Sequence, residues 1–74
     1  MMILAQDREC LVNEYNVNLI YADENKIVAI YKNDMGYEIG TYADKERAKD
    51  VLADIIEAYE QDTNYKMVFE MPLE

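Results

Sequence analysis

The sequence predicts an α+β fold: a small antiparallel β-meander packed on one α-helix, followed by a C-terminal strand. Three observations predict it. Between residues 2 and 42, short apolar runs alternate with clusters of turn-forming residues. Over residues 44–60 the apolar spacing changes from steps of two to steps of three and four. After "QDTN" at 61–64, strand-like alternation returns. With 74 residues the chain supports a single domain, 1–74, and a domain of this size buries only about 60% of the surface its unfolded chain exposes.

Met2 to Ala5 and Cys10 to Val12 read as two strands joined by the polar turn "QDRE", and "NEYN" makes a second turn. In "VNLIYA" (17–22), period-two alternation places Val17, Leu19 and Tyr21 on one face and Asn18, Ile20 and Ala22 on the other. "DEN" is turn chemistry. "KIVAIYK" (26–32) is a continuous apolar run between lysines, the pattern of a strand covered on both sides. "NDMG" closes the next hairpin, with Gly36 suited to a left-handed position. "YEIGTY" (37–42) alternates Tyr37 and Ile39 against Glu38 and Gly40.

The helix is the clearest element. Asp44 is placed as its N-cap, and Ala48, Val51, Leu52, Ile55 and Tyr59 recur on one face, with neither Gly nor Pro interrupting. In the last strand Tyr65, Met67, Phe69 and Met71 share one side, with Lys66, Val68 and Glu70 on the other, and Pro72 ends it.

Composition removes several function classes. Cys10 is the only cysteine and histidine is absent, so neither an intramolecular disulfide nor a four-ligand zinc site is expected, and no cofactor is. The lone cysteine agrees with a reducing, cytoplasmic compartment. Sixteen acidic residues against seven basic ones give a net charge of -9. That balance opposes direct binding to nucleic acid or an anionic membrane, since both need clustered Lys and Arg. No apolar stretch approaches the length of a membrane span, and the short apolar start stops at "QDRE" without the form of a secretory signal.

One helix covers one face of a small sheet, yet the expected strands carry large apolar side chains on both faces. Ile20 lies opposite Leu19, Ile27 and Tyr31 opposite Val28 and Ile30, and Val68 opposite Phe69. Leaving three or four such side chains in water forgoes roughly 5 to 10 kcal/mol, comparable to a small domain's whole stability. A homo-oligomer is therefore expected.

Catalytic chemistry is not expected. Without histidine the usual general base is missing, and nothing adjacent in sequence lowers the Cys10 pKa, so Cys10 reads as a small strand hydrophobe. Two surface features stand out. Glu46, Asp50, Asp54 and Glu57 form an acidic stripe opposite the helix's apolar face. In addition, Lys45, Arg47 and Lys49 sit near the helix N-terminus and Asp54, Glu57 and Glu60 near its C-terminus, the reverse of what the helix dipole favours. The second feature is seven tyrosines with no tryptophan, rings suited to interfaces and to stacking on bases. Tyr31 beside Lys32, with Tyr37 across the hairpin and Arg8 as a second cation, forms a candidate nucleotide pocket.

"MILAQD" (2–7), "LVN" (11–13), "IVA" (27–29), "GTY" (40–42), "ERAKDVL" (46–52) and the terminal "MPLE" together resemble a group of small proteins from Firmicute bacteria, their prophages and phages. The resemblance spans most of the chain and implies a sheet-plus-helix domain with no activity to carry over. Its phage setting implies a counter-defence role by occupancy rather than chemistry. One version is an oligomer that sequesters a nucleotide-derived immune signal. The other is an acidic decoy for the nucleic-acid groove of a basic host protein, and an accessory prophage protein is the plainer form.

Overall fold

The computed structural model describes all 74 residues. The chain runs β1 (Met2–Leu4), β2 (Leu11–Asn13), a 3-10 turn (Glu14–Asn16), β3 (Val17–Asp23), β4 (Lys26–Tyr31), β5 (Gly36–Thr41), α1 (Lys45–Gln61) and β6 (Val68–Glu70). The fold is α+β, and the strands are divided between two three-stranded sheets. β3, β4 and β5 form an antiparallel meander. In the other sheet, ordered β2-β1-β6, β1 pairs antiparallel with β2 and parallel with β6. The division falls at Asn13, whose side chain accepts the Tyr15 amide at 3.0 Å and starts the 3-10 turn, so β3 does not continue beside β2. The return of β6 parallel to β1 needs a long crossover, which the meander and helix together supply.

The inner face of the mixed sheet carries Ile3, Val12 and Phe69 in register. That of the meander carries Ile20, Ala22, Ile27 and Ala29. Asp44 caps α1 by accepting the Arg47 amide at 2.8 Å, and Ala48, Val51 and Ile55 complete one buried cluster with both sheets. Leu52 is only half-buried and Tyr59, expected on the same face, is 56% exposed.

Two bulges change which side chains face inward. Asn18 is an extra residue between the pairs Val17↔Tyr31 and Leu19↔Ile30, so Val17 joins Ile20 on the inner face instead of Leu19 and Tyr21. In β5, Ile39 is the extra residue between Ile27↔Gly40 and Val28↔Glu38, which brings both Ile39 and Gly40 into the interior. There Gly40 is a close-approach position: a Cβ would lie 2.8 Å from the Tyr42 ring and 2.9 Å from Met71 Cε. Tyr42 cannot retreat readily. It is buried, its hydroxyl donates to the Pro72 carbonyl at 2.9 Å, and the Arg47 guanidinium lies 5.8 Å over its ring.

The β4–β5 hairpin does not use Gly36 as its left-handed residue. Asp34 takes that conformation, with φ 68°. Its amide donates to the Tyr31 carbonyl at 2.9 Å and the Tyr31 amide to the Met35 carbonyl at 2.8 Å. This is a three-residue connection whose last residue is left-handed, a place Asp tolerates. Tyr65, expected in the last strand, is also left-handed, with φ 62°, and lies in the preceding loop. The side chain of Asn64 accepts the Lys66 amide there, and β6 is confined to three residues.

That loop is anchored by Asp62 at the end of α1. One carboxylate oxygen lies 3.2 Å from the Met1 ammonium and the other accepts the Met67 amide at 3.2 Å. Burial alone would raise the Asp62 carboxyl, but the ammonium and the Met67 and Lys66 amides outweigh it and hold the group below its ordinary value of 3.8. A carboxyl depressed in the folded state stabilises above its unfolded pKa, and this contribution disappears as pH falls through the folded one. Unfolding free energy is thus expected to decline below about pH 4, and Asp62→Asn to flatten that decline in urea titrations at stepped pH. Gly40→Ala is expected to cost about 1 to 3 kcal/mol in the same assay; unchanged stability would show that the Tyr42 ring can move.

Candidate functional site

The β4–β5 hairpin builds the cleft of most chemical interest. Tyr31 ends β4, and Tyr37 sits in β5 opposite Ala29 on the same face. Their rings meet edge to face, with centroids 5.2 Å apart and planes at 86°. Lys32 follows Tyr31, and its amide donates to the Asn16 carbonyl at 2.9 Å, which fixes the hairpin tip against the 3-10 turn. Cys10 arrives from the end of the first hairpin. Together with Asn16, Asn33 and Met35, these residues line an open cleft of about 510 Å³.

Three of the four residues expected in a nucleotide pocket, Tyr31, Lys32 and Tyr37, therefore share one cleft. Arg8 does not join them. It takes a left-handed conformation, φ 62°, in the β1–β2 turn. Its guanidinium donates to the Met71 carbonyl at 2.8 Å and the Ala5 carbonyl at 3.3 Å, and Glu70 lies 3.8 Å away. One of these carbonyls, Met71, directly follows β6, so Arg8 ties the first hairpin to the C-terminal segment.

The cleft is aromatic, amide-rich and singly cationic. Burial raises the Tyr31 phenol above its ordinary value of 10.0, and the adjoining Cys10 thiol and Tyr37 add to the shift, so the hydroxyl stays protonated at physiological pH. Tyr37 is 46% exposed, so a planar ligand has a ring to lie against. The Tyr31–Cys10 contact joins residues from two hairpins, and nothing in the local sequence signals it. No group of three or more Cys, Asp or Glu side chains is placed to hold a metal ion.

Glu46, Asp50, Asp54 and Glu57 are all exposed on α1. Glu57 accepts the Gln61 side-chain amide at 3.3 Å, and none of the four lies within ion-pair distance of a cation. Intramolecular partners thus do not neutralise the stripe.

A third surface was not among the sequence expectations. Beside β3, the edge strand of the meander, an apolar groove of about 520 Å³ runs along α1, floored by Val17 and Ile20 and walled by Leu19, Leu52, Ile56 and Tyr59. Leu52, Ile56 and Tyr59 recur at steps of four and three, a second apolar facet of the helix that spacing alone could have revealed.

The chain matches no family model, and no curated protein or solved structure is significantly similar to it. No helix is long and apolar enough to cross a membrane.

The position of Arg8 is testable by substitution. Arg8→Ala is expected to lower stability by about 1 kcal/mol, a charge-assisted bond discounted for its partial exposure, whereas Glu70→Gln changes it by less than about 0.5 kcal/mol. Equal and negligible effects in chemical denaturation would contradict the tie described here.

Proposed function

We propose that this protein is a non-enzymatic binding protein whose Tyr31–Lys32–Tyr37 cleft takes a small planar anion of the nucleotide-derived class. The observation that carries this reading is the convergence of an exposed tyrosine ring, a second ring edge-on to it and a lysine in one cleft. An aromatic ring stacks on any base, and such a contact is worth about 1 to 3 kcal/mol per base. Lys32 supplies a charge for one phosphate, and the side chains of Asn16 and Asn33 supply the donor and acceptor types that read base edges. In the phage setting implied by the resemblance, such a protein would act by sequestering a nucleotide-derived immune signal in the host cytosol.

One observation favours a second reading. The four stripe carboxylates carry no intramolecular ion pairs, which suits an acidic decoy that presents them to the basic groove of a nucleic-acid-handling host protein.

Titration calorimetry against cyclic nucleotides and ADP-ribose derivatives separates the two. The first reading expects measurable heat with at least one ligand and about tenfold or greater weakening on Tyr37→Ala or Lys32→Ala. Absence of heat throughout, together with capture of a basic partner that fails when Glu46, Asp50, Asp54 and Glu57 are reversed, would replace it with the second.

A further inference from the structure

The β3 edge and the neighbouring facet of α1 share one occupant. β3 is paired only on its β4 side. None of its backbone groups from Leu19 to Asp23 bonds outside that ladder. An edge of this length is a template for another strand unless charge, proline, a bulge or covering structure blunts it. The bulge of β3 lies at its start, between Val17 and Leu19, and Leu19 to Asp23 beyond it keep regular pairing with β4. Here the strand "VNLIYAD" contains no proline and one charged residue, Asp23 at its end. Leu19 is 53% exposed on the strand, and Ile56, 52% exposed, flanks it from the helix.

The helix facet says what covers the edge. At 3.6 residues per turn, Lys45, Lys49, Leu52, Ile56, Tyr59 and Glu60 fall within an arc of about 100°. This arc is separate from the buried face of Ala48, Val51 and Ile55 and from the acidic stripe. Along it the chemistry is basic at the N-terminal end, apolar in the middle and acidic at the C-terminal end. Lys45, Lys49 and Glu60 form no ion pair within the chain. A two-fold axis normal to the meander makes β3 and its mate antiparallel, and by the same rotation makes the two copies of α1 antiparallel on one side of the joined sheet. The basic end of each facet then faces the acidic end of the other, and the apolar middles meet. The arrangement also accounts for the reversed placement of charge along the helix dipole, which is unfavourable in an isolated copy.

We infer that the occupant is a second copy of this chain: a two-fold dimer in which β3 pairs antiparallel with its mate, forming a six-stranded sheet, while α1 packs against its mate through Leu52, Ile56 and Tyr59. Lys45 and Lys49 of each copy face Glu60 of the other. β3 carries one charged side chain, Asp23, in a chain with net charge -9, so like-charge repulsion between the paired strands is small. The dimer does not depend on the ligand proposed for the cleft: Val17 of the groove pairs with Tyr31 of the cleft, but the two surfaces share no lining residue.

Light scattering coupled to size exclusion, run over a concentration series, tests it. The expected mass at sub-millimolar concentration is twice 8.7 kDa. Ile56→Asp is expected to leave a monomer. Lys49→Glu and Glu60→Lys, each alone, are expected to raise the dimer dissociation constant about tenfold or more. The double reversal Lys49→Glu with Glu60→Lys restores association, because the pairing is complementary again and the net charge is that of the native chain. Lys66→Glu, in the loop before β6, matches the charge change of Lys49→Glu and leaves the dimer intact. Circular dichroism confirms that each variant is folded. A monomer at every concentration overturns the inference, as does a dimer indifferent to Ile56→Asp and to both single reversals.

Discussion

The core of this protein is a single apolar layer. Two three-stranded sheets and one helix enclose it, and its largest fully buried side chains are Ile3, Ile27, Met71, Val12 and Val51. A chain of this length buries only about 60% of the surface its unfolded form exposes, and large apolar side chains such as Leu11, Leu19, Ile56 and Val68 remain exposed. The expected shortage of cover is present in altered form. The inner faces of the two sheets share one cluster with the helix; exposed apolar side chains remain along β3 and the adjoining helix facet, at Leu19, Ile56 and Tyr59, and on the outer face of the mixed sheet, at Leu11 and Val68.

The two bulges decide where that boundary runs. The extra residue Asn18 turns Val17 inward and leaves Leu19 outside. The extra residue Ile39 admits both itself and Gly40 to the interior, and the absent Cβ of Gly40 makes room for the Tyr42 ring, whose hydroxyl holds the Pro72 carbonyl. The C-terminal segment is held by Tyr42 at Pro72, by Arg8 at Met71, by Gln6 at Leu73, by Arg47 at Glu74 and by the parallel pairing of β6 with β1. None of these is local in sequence.

That difference explains what could be read from the residues. The helix and its Asp44 cap were legible because both depend on steps of three and four within one segment. The hairpins were legible from their turn residues. The bulges were not, because an inserted residue leaves local composition unchanged and appears only against a partner strand. Flexibility alone suits Gly36 to the left-handed position, yet the ladder of the hairpin puts Asp34 there. Arg8 looked like a free cation because the carbonyl that accepts from it lies 63 positions away. Tyr31, Lys32 and Tyr37 could be brought together because one hairpin carries all three. Cys10 joins them only through tertiary packing. Spacing alone puts Tyr59 on the core face of the helix, although with Leu52 and Ile56 it marks a separate facet.

The cleft is lined from the β4–β5 hairpin, Cys10 and Asn16 and the groove chiefly from β3 and α1, with no residue common to both. β3 carries unpaired backbone groups and an exposed Leu19, an edge that we propose the strand of a second copy covers. Hydrogen exchange read amide by amide along β3, in concentrated and dilute solution, tests this most directly. The account predicts that amides of β3 directed away from β4 are protected when the protein is concentrated and lose that protection on dilution, while β4 amides exchange alike in both. Rapid exchange of the edge amides at all concentrations would contradict it.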